Sequence, residues 1–176
     1  MNATALPTTD YSDNPTGCCP RFHPEDWESK VFSLDPYKFI RATTRNVAHI
    51  PLNMGSVMKR TQQAIEDAGA QPKDRYFMLS RDLSPWQAEH FFLVERDVPG
   101  HDTVPIPGTY LARVFDGPFK DMPQWLNTLR GDLAASGRPM ENVYAFYTTC
   151  PKCAKVYGHN PVVLLARVED ELPADS

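Results

Sequence analysis

The chain has 176 residues, of which 41% are hydrophobic and 23% charged, with a net charge of −4. That is enough chain for one domain with a buried core, and its acidic balance excludes a broad basic face for nucleic acid. The opening "MNATALPTTDYSDNPTG" has neither the basic nor the apolar region of a secretory leader. No apolar run approaches the roughly 18 residues of a membrane span, so a cytoplasmic protein without membrane contact is expected.

Residues 1–17 are rich in Thr, Asp, Asn and Pro and are expected to form a disordered arm. A single domain then runs from 18 to 170, with a flexible tail over 171–176. The stretch "YKFIRATTR" reads as a strand, and "GSVMKRTQQAIEDAGA" as a helix. In that helix Val57, Met58, Thr61, Ala64, Ile65 and Ala68 fall at helical spacing, with Gly69 as the stop. "RYFMLS" is a strand, "RDLSPWQ" a loop and "EHFFLVERDV" a second strand. The order then recurs. "GTYLARVFDGPF" is a strand, and "KDMPQWLNTLRGDLAASG" is a helix with Trp125, Leu126, Leu129 and Leu133 on one stripe. "NVYAFYTT" is a strand, "CPKCAKVYGHN" a loop, and "PVVLLARVED" the last strand.

Two strand-helix-strand-strand units, about 36–98 and 106–168, are therefore expected, with Tyr76 matching Tyr144. They predict an α+β fold with a curved, largely antiparallel sheet and helices on one face. The opposite face, between the halves, is expected to be concave and to hold a ligand.

Four cysteines stand in two tight pairs, Cys18-Cys19 and Cys150-x-x-Cys153. Two distant pairs of thiolates supply the four soft donors of a tetrahedral structural zinc site. Adjacent side chains diverge in extended chain, so chelation by both Cys18 and Cys19 needs a turn, for which Gly17 and Pro20 are suited. His23 and His159 lie close enough in sequence to substitute as ligands or to hydrogen-bond thiolates. A redox couple at Cys150 and Cys153 is the second reading, and a lone catalytic thiol with a histidine base the third.

Strand alternation places Glu89, Phe91 and Leu93 on one face of "EHFFLV". A Glu at the head of an apolar strand and facing a pocket would act as a general base. Trp86 and Phe91, with Tyr110 and Tyr144, are candidate walls for a flat apolar or aromatic molecule. Tyr147 is a candidate catalytic phenol. No phosphate-binding glycine loop, zinc-protease helix or nucleophile elbow is present.

"GTYLARVFDGPFKDMPQWLNTLRGDLAASG" resembles the second half of the gyrase-inhibitor-like (GyrI-like) small-molecule-binding domain. Cys18-Cys19-Pro20, Ser84-Pro85-Trp86 and the run from Thr148 to Gly158 resemble, more closely still, a bacterial subgroup labelled "hydrolase". The resemblance implies paired βαββ-like units around a pocket, used either to bind drug-like molecules or to hydrolyse reactive cyclopropane-bearing compounds. In the hydrolytic branch a pocket Glu with aromatic walls directs water at the electrophile. Where the wider family often has Glu-x-Tyr on the penultimate strand, this chain has Ala145-Phe146-Tyr147. The tyrosine is kept and the acid is lost. The expected activity is hydrolysis of an electrophilic apolar or aromatic compound, with a structural zinc outside the chemistry. The alternatives are a non-catalytic binding or sequestering protein, a zinc-dependent interaction module, and a Cys-x-x-Cys redox protein.

Overall fold

The computed structural model describes residues 2–168; the predicted tail at 171–176 lies outside them. Two helices form where the apolar stripes predict them. Helix α1 (Met54–Asp67) buries Val57, Thr61 and Ile65, and α2 (Met122–Ala135) buries Trp125, Leu129 and Leu133. The four-residue spacing in each set puts one stripe on the sheet and leaves the other faces to solvent.

The strands are β1 (Val31–Ser33), β2 (Lys38–Val47), β3 (Ile50–Pro51), β4 (Met78–Ser84), β5 (Gln87–Val94), β6 (Thr103–Val104), β7 (Thr109–Asp116), β8 (Glu141–Tyr147) and β9 (Pro161–Val168). They make an open sheet in the order β1-β7-β9-β8-β4-β5-β2-β3, with β6 also on β2. The paired strands are antiparallel. The α+β class is as expected, and the order β-α-β-β occurs twice, as β2-α1-β4-β5 and β7-α2-β8-β9. The two sets meet at the centre, where β4 and β8 pair only through Ser80 and Ala145. Tyr76 precedes β4 while Tyr144 lies inside β8, so the two tyrosines are not structural equivalents.

Alternation along the strands sorts side chains onto two faces. Ile40, Met78, Phe92 and Val94 pack with α1, while Ala145, Val162, Leu164 and Ala166 pack with α2. Both helices therefore cover the same face. The opposite face carries Phe39, Leu79, Phe91, Leu93, Tyr110, Tyr144, Phe146, Val163 and Leu165. It was expected to be an open concavity. Instead, Leu6, Trp27, Leu34 and Ile106 from segments outside the central strands close over it, because its apolar surface is too large to leave in water.

Three local expectations are corrected. Residues 81–87, read as a loop around Pro85, extend β4 to Ser84 and turn at Pro85-Trp86 into β5, with an irregularity between Asp82 and Ser84. Residues 150–160 contain a short helix, α3 (Pro151–Tyr157), with Cys150 at the position before its first residue. The N-terminal arm is not free. Thr4 donates to the Val31 carbonyl (2.9 Å), Leu6 is buried, and Thr9 donates to the Asp74 carbonyl (2.9 Å). One buried leucine and a few backbone hydrogen bonds hold a segment that composition alone reads as unstructured.

Candidate functional site

A cavity of about 1490 Å³ opens between α1 and α2 on the helix face of the sheet. Met54, Met58 and Gln62 line it from the α1 side, and Phe119, Met122 and Leu126 from the α2 side. Its floor is the β4–β8 seam and the neighbouring strands, with Thr44, Asn46, Ser80, Asp82, Ala88, His90, Val143, Ala145 and Tyr147. Tyr147 meets Phe119 edge to face at 5.1 Å, which makes an aromatic corner. Burial pushes the Tyr147 phenol up to about 12, so it remains a neutral hydrogen-bonding group.

The floor holds a buried polar chain. Ser80 Oγ lies 2.7 Å from His90 Nδ1, and Thr44 Oγ1 lies 3.0 Å from His90 Nε2. Thr44 in turn donates to Asn46 Oδ1 at 3.2 Å. Beside it, Asp82 Oδ2 lies 2.6 Å from His49 Nδ1. These residues come from β2, the β2–β3 turn, β4 and β5. Their side chains share the helix face because Thr44, Asn46, Ser80, Asp82 and His90 sit at even steps along their strands.

A second, smaller cavity of about 230 Å³ lies on the opposite face. Glu89, Phe91, Tyr110 and Tyr144 line it, together with Arg41, Arg81 and Arg167. Phe91 and Tyr110 each meet Tyr144 edge to face, at 5.8 and 5.9 Å. Glu89 is buried and ion-paired with Arg81, whose guanidinium also lies 5.1 Å over the Tyr144 ring. Four of the six predicted pocket residues thus do converge at the smaller cavity, and of these four Tyr144 alone also borders the large one. The predicted pairing of Glu89 with Tyr147 fails because residues 89 and 147 project from opposite faces. Trp86 stands at the β4–β5 turn, 63% exposed, and walls neither cavity. The alternation that groups Glu89 with Phe91 also assigns His90 to the other face. What it leaves open is which face carries the large cavity, so alternation alone does not single out the Ser80–His90 chain.

At one end, the large cavity reaches the cysteines. The sulfur atoms of Cys18, Cys19, Cys150 and Cys153 all lie within 4.8 Å of one another. Gly17 adopts a φ of +70°, a conformation that favours glycine, and this turn brings the two adjacent cysteines to one side. Their sulfurs are 3.8 Å apart. Four thiolates at zinc-bond length around one ion would be about 3.8 Å apart along each tetrahedral edge. The Cys150 N–H donates to Cys19 Sγ (3.4 Å), and the Tyr157 hydroxyl to the Cys19 carbonyl (2.6 Å). Both bonds tie the loop to α3. The donor set and its closeness fit a four-coordinate metal with no open position, which is a structural and not a catalytic arrangement. His23 and His159 are outside the cluster. His23 lies near Asp10 and Glu25, and His159 near Asp116. All four cysteines are free thiols, and the cluster gives Cys18 and Cys19 the partners that a redox couple of Cys150 and Cys153 would deny them.

The model of the family described as bacterial hydrolase matches residues 9–168. This chain belongs to the bacterial hydrolase family. Comparison with curated proteins finds no match. The matched span of this hydrolase-family chain takes in the smaller cavity, all of the large cavity's lining but Pro7 and Thr8, and all four cysteines. No helix among the described residues is long and apolar enough to cross a membrane.

One feature of the floor of this hydrolase-family chain predicts a pH dependence. Burial is the largest influence on His90 and holds it below the ordinary value of 6.5, against smaller opposing pulls from Asp82 and Glu89. The folded chain therefore takes up this proton less readily than the unfolded chain does. The associated stability is fully present above about pH 6.5 and falls as the pH drops toward the lower folded value. Urea unfolding of wild type and His90→Gln between pH 5 and 8 is expected to show the gap between them narrowing on the acid side. A constant gap would mean that His90 takes no part in the linkage.

Proposed function

We propose that this hydrolase-family chain is a GyrI-like small-molecule-binding protein of the cytoplasm. It binds an electrophilic apolar or aromatic compound in the cleft between α1 and α2, hydrolyses it there, and carries a structural zinc at its four cysteines. The cleft carries the reading. Methionine, leucine and aromatic side chains line its walls, and a small set of polar groups is gathered on its floor. Apolar walls supply affinity for a ligand of this kind, and a few placed polar groups supply orientation and chemistry. The repeated β-α-β-β order supports an origin by duplication, with the cleft at the junction of the halves.

The cysteine cluster supports zinc because four thiolates suit a borderline-soft, tetrahedral ion that needs no redox chemistry. A zinc there would join the N-terminal segment to α3. It would supply no step of the reaction, since all four positions would be filled by protein.

A second reading, a binder that does not turn its ligand over, is favoured by Ala145. Its methyl side chain lies on the cleft floor at the place where GyrI-like relatives often carry Glu. The two readings separate in one experiment. A panel of aromatic esters and strained apolar electrophiles is added at about 100 times the dissociation constant, and melting and product are followed together. Binding is expected to stabilise the chain by about 2.7 kcal/mol, or roughly 5–10 °C. Leu126→Arg, which places a charge on the cleft wall, should abolish that shift. Stabilisation without product supports the binder, and a shift that persists in Leu126→Arg places the ligand elsewhere.

A further inference from the structure

Ser80, His90, Thr44 and Asn46 are each at most 5% exposed, yet all four border the cleft. The direction of the chain follows from its far end. Asn46 Oδ1 can only accept, so the Thr44 hydroxyl donates to it. Thr44 Oγ1 then has its lone pairs free to accept from His90 Nε2–H at 3.0 Å. A neutral imidazole with its proton on Nε2 presents a bare Nδ1, and the Ser80 hydroxyl donates to it at 2.7 Å. The network thus fixes the tautomer in which histidine accepts a proton from serine. Burial favours the neutral form of that ring. Across the seam, the strand neighbour of Ser80 is Ala145, the smallest side chain on that stretch of β8. That leaves room over the serine oxygen. A polar cluster serving only the core would be sealed beneath the helices, whereas this one forms the floor of the cavity between them.

We propose that Ser80 is a nucleophile and His90 its general base, that Thr44 and Asn46 position the imidazole, and that the substrates are esters with an apolar or aromatic body. This assignment rests on the cleft being the ligand site. Ser80 Oγ adds to the ester carbonyl carbon as its proton passes to His90 Nδ1. The tetrahedral adduct collapses with cleavage of the ester C–O bond, and the leaving alkoxide takes that proton from His90. Water then adds to the acyl-serine, giving a proton to Nδ1. The carboxylic acid departs, and the proton returns to Ser80 Oγ. No oxidant, reductant or metal enters the sequence.

The test uses the intact chain, purified without chelator, and a fluorophosphonate carrying an aromatic arm. Attack by Ser80 forms an O–P bond, breaks the P–F bond and releases fluoride, leaving a stable adduct that peptide mass spectrometry locates. One adduct per chain at Ser80 is expected, absent in Ser80→Ala and formed at least about 100-fold more slowly in His90→Gln. Thr44→Val should slow labelling about tenfold in a chain still folded at the assay temperature, its melting point lowered by the two buried groups left unpaired, and Thr44→Ser should restore the rate. A merely structural threonine would not give that pair of results. Mapping on the wild-type chain decides the matter even where a variant fails to fold. An adduct at another residue, or labelling of Ser80 at the wild-type rate in folded His90→Gln, overturns the assignment. Absence of any adduct while aromatic ligands still stabilise the chain overturns Ser80 and leaves the binding site standing. Absence of both overturns the two together.

Discussion

If the proposed zinc occupies the cysteine cluster, Cys153→Ser is expected to lower metal content from about one per chain to a small fraction of that, and to cost the protein on the order of 4 kcal/mol. Cys153 is the buried member of the four, on the first turn of α3, with its thiol 3.3 Å from the Thr16 hydroxyl. A metal that binds only the folded chain stabilises it by about 4 kcal/mol at a thousandfold excess over its dissociation constant. Structural zinc sites reach that regime easily. For a chain of this size the loss corresponds to roughly 10 °C in melting temperature. The checks are elemental analysis of chelator-free protein and thermal unfolding with and without a strong chelator. Chelation should bring the wild type down to the variant and leave the variant unmoved. A wild type without zinc, melting where Cys153→Ser melts, would remove the metal from the account and return the cysteines to thiol chemistry.

Trp27→Ala is expected to cost about 3–5 kcal/mol, the usual loss for truncating a large buried aromatic. The Trp27 ring lies 5.2 Å from Phe32, 5.3 Å from Phe146 and 5.8 Å from Phe77, stacked on the last. It is the largest side chain brought onto the outer face of the sheet from the segment that carries Cys18 and Cys19. Its loss leaves a void among rings that have little freedom to collapse into it. Urea unfolding should show a lower midpoint. Zinc content should be unchanged when the metal is in excess, since no ligand is removed. A loss below about 1 kcal/mol would mean that the covering segment contributes little to the stability of the sheet.

Much of the architecture is legible in the residue pattern. Val57, Met58, Thr61, Ala64, Ile65 and Ala68, and likewise Trp125, Leu126, Leu129 and Leu133, mix odd and even steps, so a helix and not a strand gathers them on one side. The apolar run at 162–166, opening on two valines and preceded by Gly158 and Pro161, reads as a strand covered on both sides. Strands β1, β3 and β6 have two or three residues each and exist because a partner strand offers them a register, a property of the fold and not of their own sequence. Pro85 reads as a breaker but serves as the corner of a hairpin. The convergence of the four cysteines is legible because sulfur chemistry restricts what paired cysteines can do. The cleft chemistry is less so. Period-two alternation separates Glu89 from His90 without saying which of them faces the open side. That depends on how the N-terminal segment and the loop around Ile106 cover the sheet.

The pairing of β1 with β7 and of Cys18-Cys19 with α3 has a consequence in time. A ribosome delivers Cys19 131 residues before Cys150, an interval on the order of ten seconds at ordinary elongation speed. For most of it the first 34 residues lack their strand partner β7, and for all of it they lack the sulfur atoms of Cys150 and Cys153, while β2 through β5 are complete from residue 94 onward. The nascent chain therefore carries two adjacent reduced thiols and a partly covered Trp27 until Phe146 and Cys150 emerge. Its beginning is among the last parts to settle.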